Sequence, residues 1–406
     1  MPVLNTTLAY LFERYPAFTQ TFCVREVEGL RRAGLGFPIY SIRYEDGFEL
    51  QKLSSDAIND LTHLPRVERL AKKWMRPFAH RARAARHRLV KDWGRSGDRN
   101  RAYEAVWLGP ELKSRGVSHV HVHFSGIAAR TAFWLKKFYG ITYSITAHAN
   151  DFFVTGEEDR LTCIFKEAKF VITVSDYSVD QLLQLYPCLE GKLHRVYNGI
   201  DTACFSSESA NPQPEPHILS VGRLIEKKGY HTLIEACAEL SDISFKCSII
   251  GDGPLYESLQ SRIVELGLQE KVFLLGPKTE SEVKELLLQT SVFALACCTE
   301  SDGGRDNLPT VIMEAMAASL PVVSTKIAGV PEMVIEGETG LLSEEKNPVA
   351  FAANLRCLME DEKRASAMGE TGRKLAEERF DTNKTTAEVL AVFKKYGLIS
   401  ERVKAA

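Results

Sequence analysis

Short runs of β-branched and aromatic residues alternate along this chain with segments whose apolar positions recur every three or four residues. TTLAYLF near the start reads as a strand. TFCVREVEGLRRAG has helical spacing and stops at Gly34, and FPIYSIR is the next strand. HVHVHF at 119–124 is a strand, AARTAFWLKKFYG a helix ending at Gly140, and ITYSITAHA a strand again. EEDRLTCIFKEA and FVITVS add one more helix and one more strand. The strands are mostly apolar and the order is βαβα, which predicts a parallel sheet covered by helices.

SSESANPQPEPH, residues 206–217, breaks the pattern: it is polar and proline-rich and reads as a linker or an ordered domain crossover. A second series follows. HILSVGRL, FKCSIIGDG, KVFLLG, SVFALAC and PVVST read as strands, separated by helices through EACAEL, LYESLQSRIVELG, SEVKELLLQ and TVIMEAMAAS. The expected organisation is an α/β domain over 1–205, a linker over 206–217, a second α/β domain over 218–380 and a helical tail over 381–406. Two such parallel-sheet domains create a cleft, a common place for a ligand.

Composition narrows the picture. A length of 406 residues exceeds one ordinary core and suits two domains of roughly 150–200 residues. A formal net charge of −2 supplies no global field for nucleic acid, and none is expected as a partner. The nine cysteines, at 23, 163, 188, 204, 237, 247, 297, 298 and 357, include no CxxC pair and read as reduced, buried thiols. The N-terminus lacks the basic start, apolar stretch and cleavage site of a leader, and no segment approaches a run of about 18 uncharged apolar residues. The expectation is a cytoplasmic chain without a membrane span, with peripheral attachment at the inner face of the membrane left open.

The chemistry concentrates where strands end. DGGRDNLPTVIMEAM, residues 302–316, follows a strand and opens a helix. Backbone N–H groups near Pro309, Thr310 and Val311 lack helical partners there and suit a phosphate. Asp306 precedes the helix and Glu314 lies inside it. Acids beside a phosphate make sense when they accept hydrogen bonds from hydroxyls, which points to a sugar nucleotide. The plainer alternative makes Asp306 a turn or cap residue and Glu314 a solvated position. In SVGRLIEKKGY, Gly222 permits a sharp turn, and Arg223, Lys227 and Lys228 are cations at a strand end, suited to a diphosphate. In IIGDGPL, Gly251 opens a tight turn that is a weak signal alone. The coincidence of all three at strand ends outweighs any one of them.

VGRLIEKKG, IIGDGPL, FLLGP and DNLPTVIMEAMAASLPVVSTKIAGVPEMVIEGETGLL resemble the family 4 retaining glycosyltransferases, which have the GT-B fold of two Rossmann-like domains. YLFERYPAFTQTFCVREVEGLRRAG, HVHFSGIAA and ITAHANDFF resemble the branch that builds bacterial exopolysaccharides such as colanic acid. The resemblance implies that Asp306 meets donor-sugar hydroxyls and Glu314 the ribose. Arg223 and Lys228 would hold the diphosphate, assisted by N–H groups around Leu308, Pro309, Thr310 and Val311. Pro277, within 276–278, would lie near the base, and His148 near the donor sugar. It also implies that the C-terminal helical segment packs back on the first domain, and that the diphosphate oxygen helps deprotonate the acceptor with retention of configuration. Of the donors, a UDP-sugar is favoured over a GDP-sugar, as the commoner family choice. Two departures stand out: Asp306-Asn307 replaces the common Glu-Gly, and Tyr15–Phe22 occupies the place of the usual Gly-Gly loop, with Thr19-Gln20-Thr21-Phe22 where relatives carry Ser-Glu-Thr-Phe.

No DxD triplet falls in a suitable loop and no cysteines cluster, so no metal cofactor is expected. His119, His121 and His123 alternate and share one face of a strand. A metal site is one reading of them; a half-solvated edge hydrogen-bonded to loops is the expected one. AKKWMRPFAHRARAARHRLVK, residues 71–91, carries eight Lys or Arg and no acid, with Trp74, Met75 and Phe78 among them. It reads either as a solvated helical hairpin or as a patch for anionic lipid and a polyprenyl-diphosphate-linked saccharide acceptor. The expected function is transfer of a sugar from a nucleotide donor to a saccharide acceptor. The alternatives are a lipid or small soluble acceptor, or a non-catalytic sugar-nucleotide-binding partner of another transferase.

Overall fold

The computed structural model describes residues 4–17, 20–44, 53–66, 98–148, 151–152, 158–205 and 215–401. The basic segment 71–91, Thr19 and most of 206–217 lie outside them. The chain divides into two units: residues 1–174, 179–196 and 386–406 form the first, and residues 175–178 and 197–385 the second. The continuous part of the second unit therefore begins at Tyr197, ahead of the proline-rich segment.

The first unit is built on seven parallel strands. They are β2 (Leu8–Arg14), β3 (Ile39–Arg43), β4 (Leu61–His63), β5 (His119–His123), β6 (Thr142–Ala147), β7 (Val171–Thr173) and β8 (Leu193–Arg195). Their order is β4-β3-β2-β5-β6-β7-β8, so the winding reverses between β2 and β5. A short strand, β1 (Leu4–Thr6), pairs antiparallel with Ile399–Glu401 at the end of the described chain. Alternation along β2 sends Ala9 and Leu11 into one apolar layer and Leu8, Tyr10 and Phe12 into the other. The helix Thr21–Arg32 buries Cys23, Val27 and Leu30 at helical spacing, and Val389 and Phe393 share that second layer. Helix Ile127–Tyr139 ends at Gly140, whose left-handed φ of 68° lets its N–H reach the Lys136 carbonyl.

Six parallel strands form the second sheet: β9 (His217–Val221), β10 (Lys246–Ile250), β11 (Val272–Leu274), β12 (Val292–Ala294), β13 (Val322–Thr325) and β14 (Gly340–Ser343). The order β11-β10-β9-β12-β13-β14 repeats the doubly wound pattern, with its reversal between β9 and β12. Ligands of such sheets bind beyond the carboxyl ends of the strands at the reversal. Both sheets meet the α/β expectation. The nine cysteines are all free, but only five are buried: 163 and 204 are exposed and 188 and 357 half-buried, because they sit on or beside surface helices and turns. No described helix is long and apolar enough to cross a membrane.

Candidate active site

In the second unit the carboxyl ends of β9, β10 and β12 gather most of the expected donor-side residues. Gly222 follows β9, and its N–H donates to the Ile250 carbonyl at 2.9 Å. A Cβ on Gly251 would lie 1.9 Å from the Gly222 carbonyl oxygen, so glycine is required where these two loops touch. The Gly251 N–H in turn donates to the Gly276 carbonyl at 3.0 Å, which brings the exposed Pro277 to the same sheet end. The turn Glu226–Lys228 then delivers Lys228 beside the loop that follows β12.

There Lys228 forms an ion pair with Asp306, a contact between segments far apart in sequence. Burial pulls the Lys228 pKa down, but the Asp306 carboxylate more than offsets this and holds it above the ordinary lysine value. Lys228 is thus a fixed cation. Arg223, exposed and without an ion pair among the described residues, is close enough to push in the opposite direction. The local-cap alternative for Asp306 does not hold. Asp302 does the capping, accepting the Gly304 N–H at 2.8 Å, while Asp306 faces Lys228. Lys227 is buried and lies 3.9 Å from Glu300, and Glu226 accepts the Ser301 N–H at 3.3 Å. Lys227 and Glu226 therefore hold the 299–304 loop.

The helix Thr310–Ala317 begins directly after Pro309, with Leu308 and Pro309 buried and Thr310, Val311 and Glu314 half-buried. Pro309 itself has no N–H, so Thr310 and Val311 supply the first unpaired donors of that helix end. Asn307, singled out only as a departure, anchors this loop. Its amide donates to Ser178 Oγ at 2.6 Å, its side-chain oxygen accepts from Ser175 Oγ at 2.9 Å, and its backbone carbonyl accepts the Gly329 N–H. A glycine there would lack the two side-chain bonds.

The first unit holds His148, just past β6, in a buried aromatic setting. Phe22 and Phe124 lie 4.7 and 4.5 Å from it, ring centre to ring centre. Phe124 takes a φ of 68°, unusual for a bulky residue and of the kind that concentrates at functional sites. The His148 backbone N–H donates to Asp151 Oδ2 at 2.8 Å, and burial raises the Asp151 carboxyl to about 7 against the pull of its hydrogen bonds.

The three histidines of β5 are fully buried, which corrects the half-solvated expectation. β5 is a central strand, and its neighbour β6 offers Thr142, Ser144 and Thr146 as partners. The hydrogen-bond directions can be followed from one end. Thr142 Oγ1 donates to the Ser118 carbonyl, so it accepts from His119 Nδ1–H at 2.7 Å. His119 Nε2 then accepts from Ser144, which accepts from His121 Nδ1–H at 2.7 Å; His121 Nε2 accepts from Thr146 at 2.9 Å. Both rings are neutral in this chain, consistent with burial lowering their pKa values, that of His121 to about 3. His121, His123 and Glu26 bring potential metal ligands within 4.8 Å of one another, but each ring nitrogen already has a hydrogen-bond partner.

Folded His121 stays neutral down to about pH 3 while the unfolded residue takes up a proton below about 6.5. Its contribution to stability is present above 6.5 and is lost as pH falls toward 3. The unfolding free energy of the wild type minus that of His121→Gln should shrink by about 1.4 kcal/mol per pH unit below 6.5. All four tryptophans, Trp74, Trp93, Trp107 and Trp134, belong to the first unit, so fluorescence-detected urea unfolding reads it directly. A pH-independent difference would contradict the neutral chain.

Two parallel-sheet units, with cations, acids and a helix start at a strand reversal, are the makings of a GT-B transferase. Residues 201–375 match the family described as glycosyl transferases group 1, and residues 58–203 match Glycosyltransferase Family 4. The WcaL protein of Salmonella typhimurium, provisionally named as a colanic acid biosynthesis glycosyltransferase, is 31% identical over 293 residues, 69% of this chain and 70% of that one. The amylovoran biosynthesis glycosyltransferase AmsK of Erwinia amylovora is 32% identical over 202 residues, 49% of each chain. Among solved structures, a glycosyltransferase from Rickettsia africae superposes with a TM-score of 0.75 at 18% identity, covering 97% of this chain and 99% of that one. HepE of Anabaena, in complex with UDP and glucose, gives 0.73 at 16% identity, covering 96% and 100%. The chain belongs to the family 4 glycosyltransferases, within the company of exopolysaccharide-building enzymes.

Proposed function

We propose that this enzyme takes a UDP-sugar in preference to a GDP-sugar and transfers the sugar, with retention of configuration and without a metal ion, to a lipid-linked saccharide at the inner face of the membrane. The observation that carries the donor half is the grouping of Arg223, the Lys228–Asp306 pair and the start of helix Thr310–Ala317 beyond one sheet reversal. Arg223 and Lys228 neutralise the diphosphate, Thr310 and Val311 add N–H donors, and the leaving group gains charge stabilisation from groups already in place. Asp306 turns from Lys228 to the sugar hydroxyls, Glu314 takes the ribose, and Gly222, Gly251, Leu308, Pro309 and Pro277 shape the wall around phosphate and base. His148 hydrogen-bonds the donor sugar. UDP in the complex of HepE supports the choice of base. The polyprenyl-linked acceptor and the membrane contact rest on the composition of 71–91.

Slow hydrolysis of the donor by the purified protein in excess EDTA tests the catalytic, metal-free part. Turnover that disappears with Arg223→Ala is the expected result; hydrolysis restored only by a divalent cation would refute it. For the membrane contact, sedimentation with anionic vesicles should exceed that with neutral ones, and equal binding would remove 71–91 from the account.

A further inference from the structure

The hydrogen bonds around His148 reach inward to a group that the donor site does not explain. His148 Nε2 lies 3.2 Å from His123 Nδ1, and His123 Nε2 lies 3.1 Å from Glu26 Oε1. The same carboxylate oxygen accepts the Tyr10 hydroxyl at 2.7 Å. Both imidazoles are buried, at 2% and 7% exposure, and Phe12 stacks on His123 at 5.4 Å. A carboxylate, an imidazole and a second imidazole thus stand in one line inside the first unit.

We propose that Glu26 and His123 are positioning residues: Glu26 keeps His123 doubly protonated, and His123 Nδ1–H donates to His148 Nε2, fixing His148 as the neutral tautomer with its proton on Nδ1. His148 then offers its substrate an N–H hydrogen bond without a positive charge. This rests on the reading of His148 as the donor-sugar histidine.

The groups facing His123 decide its charge. Tyr10 faces it from β2, Cys23 and Glu26 from helix Thr21–Arg32, His121 from its own strand, and His148 and Asp151 from the segment after β6. Burial works against a charged ring, but the Glu26 carboxylate 3.1 Å away favours it, and the His123 pKa lies well above the usual value. Burial likewise opposes ionisation of Glu26, and the His123 charge overrides it, bringing the carboxyl to about 2. His148 goes the other way, lowered by burial and then by the His123 cation. One charge pair and one neutral ring is therefore the stable assignment. When His123 loses its Nδ1 proton to solvent at high pH, His148 must move its own proton to Nε2 to keep the bond. Its Nδ1 then becomes an acceptor.

Ring-nitrogen NMR of histidine-labelled protein, assigned with His123→Gln and His148→Gln, tests the relay without activity. At neutral pH His123 should carry two ring protons and His148 one, on Nδ1. A neutral His123, or His148 protonated on Nε2, would overturn the proposal. In kinetics, Glu26→Gln should lower kcat by about 10- to 100-fold with little change in donor KM. It should also move the alkaline fall in activity down by at least about one pH unit. Glu26→Asp, which keeps the charge, should recover most of the loss. A Glu26→Gln profile that merely scales the wild-type curve would also overturn it. If Glu26→Gln does not fold, the wild-type spectra decide. Unchanged turnover in His148→Gln would instead refute the role of His148 and leave the spectra to judge the relay.

Discussion

Lys228→Ala and Asp306→Ala should separate two parts of donor recognition. Lys228→Ala is expected to weaken UDP and the UDP-sugar alike by at least about a hundredfold, because the proposed charge-assisted contact to phosphate is lost and Asp306 is left without its cation. Asp306→Ala releases Lys228 from its partner, so UDP binding should hold or tighten, while the UDP-sugar loses its advantage over UDP. Competition binding of both ligands to each variant reads this directly. Equal losses for both variants with both ligands would mean that the ion pair is structural, and the division of labour between phosphate and sugar would fall.

Gly251→Ala should be among the most damaging small substitutions in the second unit. Its φ of 145° and the 1.9 Å approach of the Gly222 carbonyl leave the new methyl group nowhere to go without moving backbone. A loss of about 3 kcal/mol or more is expected. Gly267→Ala, at φ 67° but with nothing within 4 Å, should cost only about 1–2 kcal/mol. Hydrogen exchange of peptides from 217–385 separates the two, since the tryptophans do not report on this unit. Similar exchange in both variants would mean that the loops after β9 and β10 can part without cost.

Much of this was readable in the sequence because it is local. Apolar runs ending in glycine marked the strands that carry Gly222 and Gly251, and the spacing of Asp306 and Glu314 was visible as written. What escaped is what folding brings together. Glu26 meets His123 across 97 residues, and Asn307 meets Ser175 across 132. The β5 histidines read as a half-solvated edge bonded to loops, since their partners stand on β6 and no single strand shows them. β8 is three residues long with His194 and Arg195 in it, too short and too polar for periodicity to register.

The central claim is that the second unit binds a nucleotide-sugar through Arg223, Lys228 and Asp306. Titration calorimetry across UDP-, GDP- and ADP-sugars, with Lys228→Ala as control, tests it most directly. A UDP-sugar should bind clearly best, and the variant should lose it; equal binding by wild type and variant, or binding to none of the donors, would contradict this assignment.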